Sequence, residues 1–226
     1  MPPVYCAAMA LLVTARSYYS RAELLSDAAV HVTGLAAVSV AVPALIFATA
    51  TIRGDAAAIV GTSVYGATLA AMLLCSALYN MVRRPGWAGV LRRLDHSAIY
   101  LKIAGTYTPF ALLTGHGAVL TIGLRCAAAV GTGLKLASPT RFRWLGLALY
   151  LGMGWAGAVA GQDFFAALST PAIVLIVIGG LLYTAGIVFY LFVRLPFHNT
   201  IWHVFVLIAS TVFYAAVTVQ VAAGPA

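Results

Sequence analysis

Long apolar segments separated by short polar clusters make up almost the whole chain. Four segments contain no Lys, Arg, Asp or Glu, namely Ala28–Ile52, Ala56–Val82, Phe164–Val193 and Leu195–Ala226. Three more fill the middle of the chain, namely His96–Gly115, Gly117–Leu134 and Trp144–Gln162. A helix needs about 20 mostly apolar residues to cross a bilayer, and these segments lack the alternation of membrane strands. The pattern predicts an all-α fold, a bundle of seven transmembrane helices.

The composition agrees with a membrane protein that has one domain. Of the 226 residues, 63% are hydrophobic and 8% are charged, and no linker or soluble domain is apparent. Residues 1–20 include an apolar stretch that is too short to span a bilayer, so we interpret them as an N-terminal tail. Residues 21–226 are predicted to form a single seven-helix membrane domain.

The basic residues are distributed unequally between the two predicted sides of the membrane. The formal net charge is +8, and ten of the thirteen basic residues share one side if the N-terminus is cytoplasmic. Arg53 then lies outside, while Lys102 and Arg125 fall within helices. The positive-inside rule therefore predicts a cytoplasmic N-terminus and an outside C-terminus. Because orientation and anionic headgroups account for the positive charge, we expect membrane lipids and not nucleic acid as partners.

Several polar residues are predicted to lie inside the membrane at one depth. Such side chains are costly when they face lipid, so they normally point into the bundle. Four helices carry them near the predicted cytoplasmic face: Asp27 and His31; Ser76 and Asn80; Asp95 and His96; and His198, Asn199 and His203. Ser76 with Asn80 and Asn199 with His203 are each spaced four residues apart, so each of these pairs shares a helix face. The sequence therefore predicts a buried polar site on the cytoplasmic side.

The charged members of this set also have simpler interpretations. Asp favours both the N-cap position and the positive end of a helix, so Asp27 and Asp95 are suited to capping. We favour that role for Asp27. Lys102 lies seven residues after Asp95 on nearly the same face, where it either pairs with Asp95 or extends toward the interface.

The histidines have alternatives as well. His31 or His203 alone is better suited to an interhelical hydrogen bond than to ligand binding. His96 and His198 are predicted to lie close to the headgroups, where they are either solvated or part of the site.

A family resemblance is carried by short motifs along the whole membrane domain. The segment LRRLDHSAIYLKIAGTYTPF, Leu91–Phe110, resembles the signature of the hemolysin III family, the bacterial branch of the progestin and adipoQ receptor superfamily. Further motifs follow in order, namely GTGLKL at 131–136, YLGMGW at 150–155, GGLLYTAGIVFY at 179–190 and IWHVFVLIAS at 201–210. The opening SDAAVHVTG is similar too, although Asp27 stands where Asn is usual. The resemblance implies a bacterial cytoplasmic (inner) membrane location.

The resemblance also implies a metal site and a reaction. In this superfamily zinc is held by a His closing a Ser-x-x-x-His motif on the second helix and by two His of a His-x-x-x-His motif on the seventh. An Asp opening the third helix helps to hold a water molecule. Alkaline ceramidases have a similar architecture, so the implied chemistry is zinc-activated hydrolysis of a lipid amide, because zinc generates hydroxide near neutral pH.

This sequence departs from that pattern at two of the three zinc positions. Ser76, Asp95 and His203 match, whereas Asn80 and Asn199 stand where the family has His. A neutral carboxamide is a poor zinc ligand, so the sequence favours a chain without zinc. Either neighbouring histidines such as His31 rebuild the site around His203, or Asn80 and Asn199 form a hydrogen-bonded pair in place of the metal.

Two functions from different classes are therefore expected. One is a lipid amide hydrolase, or its inactive descendant, with Asp95 and Ser76 as catalytic candidates and His203 as the matched metal ligand. His31, His96, His198 and Lys102 are further candidates for the polar site. The other is a transporter, channel or lipid-homeostasis protein without catalysis. The sequence does not decide whether the protein is an enzyme.

Overall fold

The computed structural model describes residues 19–82, 84, 86–160 and 162–223. This part of the chain is entirely helical where it is regular, as predicted. The helices are α1 (Arg21–Ile52), α2 (Ala56–Met81), α3 (Ala88–Thr114), α4 (Ala118–Ala137), α5 (Arg143–Ala160), α6 (Gln162–Ala166), α7 (Thr170–Leu191) and α8 (His198–Ala222). All but α6 are at least 18 residues long. The predicted tail lies almost wholly outside the described residues.

The helices have the length and surface of membrane-spanning elements. Five of those described, α1, α2, α4, α7 and α8, are long and apolar enough to cross a bilayer. The bundle exposes large apolar side chains, including Val40, Phe47, Val119 and Val159, as expected for a lipid-facing surface and not for one that faces water. The chain is therefore an integral membrane protein.

The first helix begins earlier than the apolar pattern indicates. Ser20 is the N-cap and accepts a hydrogen bond from the backbone N–H of Glu23, while the Glu23 carboxylate accepts from the Ser20 N–H. This capping box starts α1 at Arg21. Asp27 is thus well inside the helix, and the interpretation of Asp27 as an N-cap is wrong. Its carboxylate is available for contacts within the bundle.

The third helix also begins earlier, at Ala88 in place of His96. Its N-cap is Trp87, which makes no side-chain capping bond. Asp95 therefore lies about two turns inside α3, and the capping alternative for Asp95 is wrong. Because the extra turns add Arg92 to the helix, a cation lies one turn before His96 on the same face.

The start of α8 is held against the start of α1. Phe197 precedes α8 with a left-handed backbone, φ 59°, a conformation that is strained for a bulky residue. Its N–H donates to Glu23 Oε1 at 2.9 Å. The same glutamate therefore caps α1 and anchors the turn into α8, which aligns the first turns of the two helices.

Packing brings the polar parts of four helices together. In the described part of the chain α1 packs against α2 and α8, and α3 packs against α2, α4 and α8. Their shared core includes Leu45, Tyr65, Phe110 and Val217, each at most 2% exposed. The end where α1, α3 and α8 begin and α2 ends is called the site end below, because the polar residues of the sequence meet there.

Candidate functional site

Asp27 is the centre of a buried polar cluster at the site end. Its Oδ1 lies 2.6 Å from His203 Nδ1, and its Oδ2 lies 3.5 Å from His31 Nε2. Asn199 Nδ2 donates to Oδ2 at 3.2 Å. Asp27, His31 and His203 are all buried. A buried carboxylate needs such donors, since desolvating it without partners is very costly.

The same three residues form a possible metal-binding group. One ligand atom from each of Asp27, His31 and His203 lies within 4.8 Å of the others, and the two imidazole rings are 4.4 Å apart between centroids. The buried Nε2 of His31 approaches Asp27 Oδ2 at 3.5 Å, an ion-pair contact without the geometry of a hydrogen bond. Two imidazoles and a carboxylate are a donor set that zinc accepts. Asp27, His31 and His203 therefore fit a metal ion better than Asn80 and Asn199, the residues at the family's ligand positions.

Ser76 lies on the other side of the His203 ring. Its Oγ is 3.5 Å from His203 Nε2, while Nδ1 of the same ring faces Asp27. The order carboxylate, imidazole, hydroxyl is that of nucleophilic serine catalysis. The Ser76 contact is longer than an ordinary hydrogen bond, which is common before substrate binds.

Asn80 and Asn199, at the family's zinc positions, contact each other. The alternative in which they form a hydrogen-bonded pair requires this contact. Asn199 Nδ2 is 3.5 Å from Asn80 Oδ1, and Asn80 Nδ2 donates to the Ser76 carbonyl at 2.9 Å. Asn199 also contacts Asp27, so the pair is part of the histidine cluster and does not replace it. A small cavity of about 20 Å³ is lined by Asp27, Asn80, Asn199 and Thr200, which is room for roughly one water molecule.

Asp95 lies on α3 beside a different set of side chains. It is half-buried and interacts electrostatically with Cys75, Tyr150 and Tyr190. The donor group within 4.8 Å consists of Asp27, His31 and His203 and does not include Asp95. That Asp95 acts on Ser76 and His203 stays a prediction.

The two remaining histidines of the site end point elsewhere. His198 is buried, and its Nε2 lies 2.9 Å from the Tyr19 hydroxyl. His96 is half-buried, its ring is 6.2 Å from that of Tyr79, and its Nδ1 has no hydrogen-bond partner among the described residues.

Lys102 adopts an arrangement that neither sequence-based alternative includes. The side chain is 3% exposed, so the lysine does not extend to the interface. Its Nζ lies 4.9 Å from the Tyr183 ring centroid and 4.7 Å from that of Phe213. Aromatic faces attract a cation within about 6 Å, so these two rings stabilise a buried ammonium inside the bundle.

The apolar helices and the buried Asp–His cluster define an integral membrane protein with a polar site inside its helical bundle. The sequence profile described as "Haemolysin-III related" matches residues 22–214, and the chain belongs to this family. The resemblance seen in the sequence is therefore confirmed.

Named relatives agree with this assignment. The chain is 36% identical over 200 residues to "Hemolysin-3 homolog" of Bacillus subtilis (strain 168), covering 86% of this chain and 92% of that protein. It is also 36% identical to "Hemolysin-3" of Bacillus cereus, with 86% and 90% covered. A human relative, "Monocyte to macrophage differentiation factor", is 28% identical over 166 residues, which is 68% of this chain and 67% of that protein.

The residue that sequence reasoning undervalued is Asp27. Two signals were available in the sequence. Asp27 and His31 are four residues apart and therefore share a helix face, and Ser20 with Glu23 has the spacing of a capping box that moves the helix start away from Asp27. Its partnership with His203 had no sequence signal, because the two residues are 176 positions apart.

Proposed function

We propose that this protein hydrolyses a lipid amide at the site formed by Asp27, His31, His203 and Ser76. The observation that supports it best is the convergence of Asp27, His31 and His203, with Ser76 Oγ 3.5 Å from the His203 ring. Burial of the site within an apolar bundle suits an acyl-chain substrate that arrives from the membrane.

In this proposal Asp27, His31 and His203 hold zinc, although Asn80 and Asn199 occupy the family's ligand positions. Zinc supplies an activated water near neutral pH. The chain's own residues orient and protect this set. Asn199 donates to Asp27 and so aims the carboxylate, and the cavity beside Asp27 and Asn80 has room for roughly one water molecule.

The proposed placement in the membrane follows the charge distribution. Seven helices cross the bacterial cytoplasmic membrane, with the N-terminus in the cytoplasm and the C-terminus outside. This orientation is supported by the excess of basic residues at the ends assigned to the cytoplasm. The hydrolytic site then lies near the inner leaflet, and the substrate is a lipid of that leaflet.

A second candidate is hydrolysis without a metal, and one observation favours it. His203 Nδ1 is already bound by Asp27 at 2.6 Å, which directs Nε2 toward Ser76. Nε2 takes the Ser76 proton as Oγ attacks the acyl carbon. The C–N bond then breaks, and the amine leaves with that proton. Water next cleaves the acyl–serine ester, releasing the fatty acid and returning a proton to Oγ.

The proposal is tested by measuring fatty-acid release from an N-acyl sphingoid base by the purified protein in detergent. We expect release by the wild type and a loss of at least about 100-fold in Asp27→Asn and His203→Gln. His198→Gln is the matched control, because it removes a buried histidine of the same helix that contacts Tyr19. It should keep its activity.

Two further experiments distinguish zinc-dependent hydrolysis from hydrolysis by Ser76 without a metal. A chelator should abolish hydrolysis if zinc is required and leave it unchanged if Ser76 is the nucleophile. Ser76→Ala should abolish metal-independent hydrolysis and covalent labelling by a fluorophosphonate. If a folded wild type releases no fatty acid with or without zinc, the hydrolase proposal is wrong and the non-catalytic alternative is favoured.

A further inference from the structure

A second group of charged side chains lies between α3, α4 and α5, and its members are basic. Arg92 comes from α3, Lys135 from the last turn of α4 and Arg143 from the start of α5. Arg92 is 8% exposed and Lys135 is 4% exposed. The positive charges of Arg92 and Arg143 both act on Lys135. Three helices therefore bring positive charges together. Two of these charged side chains, Arg92 and Lys135, are buried away from water.

Buried cations normally pair with carboxylates, and this group is short of them. The described ion pairs include none of the three basic residues, and the buried Nε of Arg92 has no hydrogen-bond partner in the described part of the chain. Asp95 is the nearby acid, since it acts on Tyr190 together with Arg92 and Arg143. Among the described residues three cations therefore share one nearby carboxylate, so positive charge is in excess.

The space around the Lys135 ammonium is shaped by a glycine. A Cβ at Gly146 would lie 2.6 Å from Lys135 Nζ and 3.0 Å from the Tyr100 hydroxyl oxygen. Tyr100 is fully buried and donates to the Gly146 carbonyl at 3.2 Å. A larger residue at 146 would require the Lys135 ammonium to move, and since Lys135 is 4% exposed it is a buried lysine and not a surface one.

The rim of this group carries an aromatic side chain suited to the membrane interface. Arg143 is exposed, and its guanidinium carbon lies 5.5 Å from the Trp144 ring centroid and 5.9 Å from that of Tyr190. Trp144 is itself exposed, as tryptophans at the level of lipid headgroups are. The cations therefore open toward the depth at which lipid phosphates lie.

We propose that Arg92, Lys135 and Arg143 form a binding site for a phosphate-type oxyanion, here called the oxyanion site. Guanidinium and ammonium groups are the donors that phosphate prefers, and an Arg offers two parallel N–H bonds to it. The ligand supplies the missing negative charge between α3, α4 and α5 and so fastens these helices together. Either an anionic phospholipid headgroup or free phosphate has this chemistry.

The oxyanion site is tested by thermal unfolding of the full chain in neutral detergent. Phosphatidylglycerol, inorganic phosphate, phosphatidylcholine and sodium chloride at matched ionic strength are added separately. A ligand at 100 times its Kd should raise Tm by about 5 to 10 °C. A shift with phosphatidylglycerol alone identifies the lipid headgroup, and a shift with phosphate as well identifies the oxyanion itself. No shift with either overturns the proposal.

Variants locate the effect. Arg92→Gln and Lys135→Gln should lose most of the shift. The matched control Arg141→Gln should keep it, because Arg141 is exposed just before α5 and its loss changes net charge equally. Gly146→Ala keeps every charge but displaces the Lys135 ammonium, so it should also reduce the rise in Tm that the ligand causes. Equal shifts in all four variants would show diffuse charge attraction and overturn the site.

A direct measurement keeps the test valid if a Gln variant does not fold. Native mass spectrometry of the wild type and of Arg92→Lys, which retains the charge, counts retained phosphatidylglycerol. We expect one tightly retained lipid in the wild type and weaker retention in Arg92→Lys, since Lys lacks the paired N–H bonds of Arg. Indistinguishable retention of phosphatidylglycerol and phosphatidylcholine by the wild type would contradict the proposal.

Discussion

Asp27 Oδ1 and His203 Nδ1 lie 2.6 Å apart, which joins the second turns of α1 and α8 across 176 positions of sequence. This short contact decides the orientation of the imidazole. With Nδ1 bound to the carboxylate, Nε2 faces Ser76 on α2. A single buried carboxylate therefore positions a histidine for metal binding or for proton transfer.

Three of the departures from the pattern that the resemblance implies lie close together in space. Asp27, Asn80 and Asn199 stand where Asn, His and His are usual, and Asn199 contacts both Asp27 and Asn80 at 3.2 and 3.5 Å. The cluster therefore holds one acid and two carboxamides where the resemblance implies one amide and two imidazoles.

Replacing Asp27 by Asn should destabilise the folded protein. The change removes the acceptor charge that His203 and Asn199 bind, and leaving buried donors poorly paired costs about 1 to 3 kcal/mol. We expect a Tm in detergent lower by several degrees. Asp163→Asn is the matched control, because Asp163 is an exposed acid on α6. Equal Tm values for the two variants would show that Asp27 contributes no buried interaction.

The protein purified without added metal should contain about one zinc per chain, contrary to the weak binding expected from Asn80 and Asn199. His31→Gln and Asp27→Asn should lose the metal, because three protein donors are the usual minimum for a catalytic zinc. His198→Gln should retain it. The measurement is metal content by mass spectrometry.

The double substitution Asn80→His and Asn199→His tests the same site in the opposite direction. It restores imidazoles at the family positions and should bind zinc at least as tightly as the wild type. A folded wild type that contains no zinc and gains it only in the double variant would favour the metal-independent candidate.

The proposed orientation predicts the activity of fused reporters. A reporter that is active only outside the cytoplasm should be active when fused after Ala226 and silent when fused within Pro85 to Val90. The physical reason is the excess of basic residues on the cytoplasmic side. The reverse pattern would exclude this orientation and the placement of the site near the inner leaflet.

Asp95→Ala should lower both stability and hydrolysis if Asp95 serves the polar site. Loss of a buried partner costs about 1 to 3 kcal/mol, and the activity should fall further than stability alone explains. Fatty-acid release and Tm are measured beside Asp163→Ala. Wild-type values for both quantities would assign Asp95 to a solvent-facing role on α3.

The sequence alone determined the helical membrane character of this protein. Apolar segments such as Ala56–Val82 predict α2 (Ala56–Met81) almost to the residue, because a bilayer imposes a minimum length and internal backbone hydrogen bonding on each segment. The starts of α1 and α3 were less well predicted, since polar turns such as Ser20 to Glu23 extend helices beyond their apolar part.

Only the tertiary structure decided which polar residues act together. Asp27 and His203 are partners because α1 packs against α8. Arg92 and Lys135 lie close enough to affect each other because α3 packs against α4. Helix formation depends on neighbours within one turn, whereas these partnerships depend on how each helix is rotated about its axis by the fit of side chains between helices. That fit involves residues far apart in the chain, so no local pattern of the sequence encodes it.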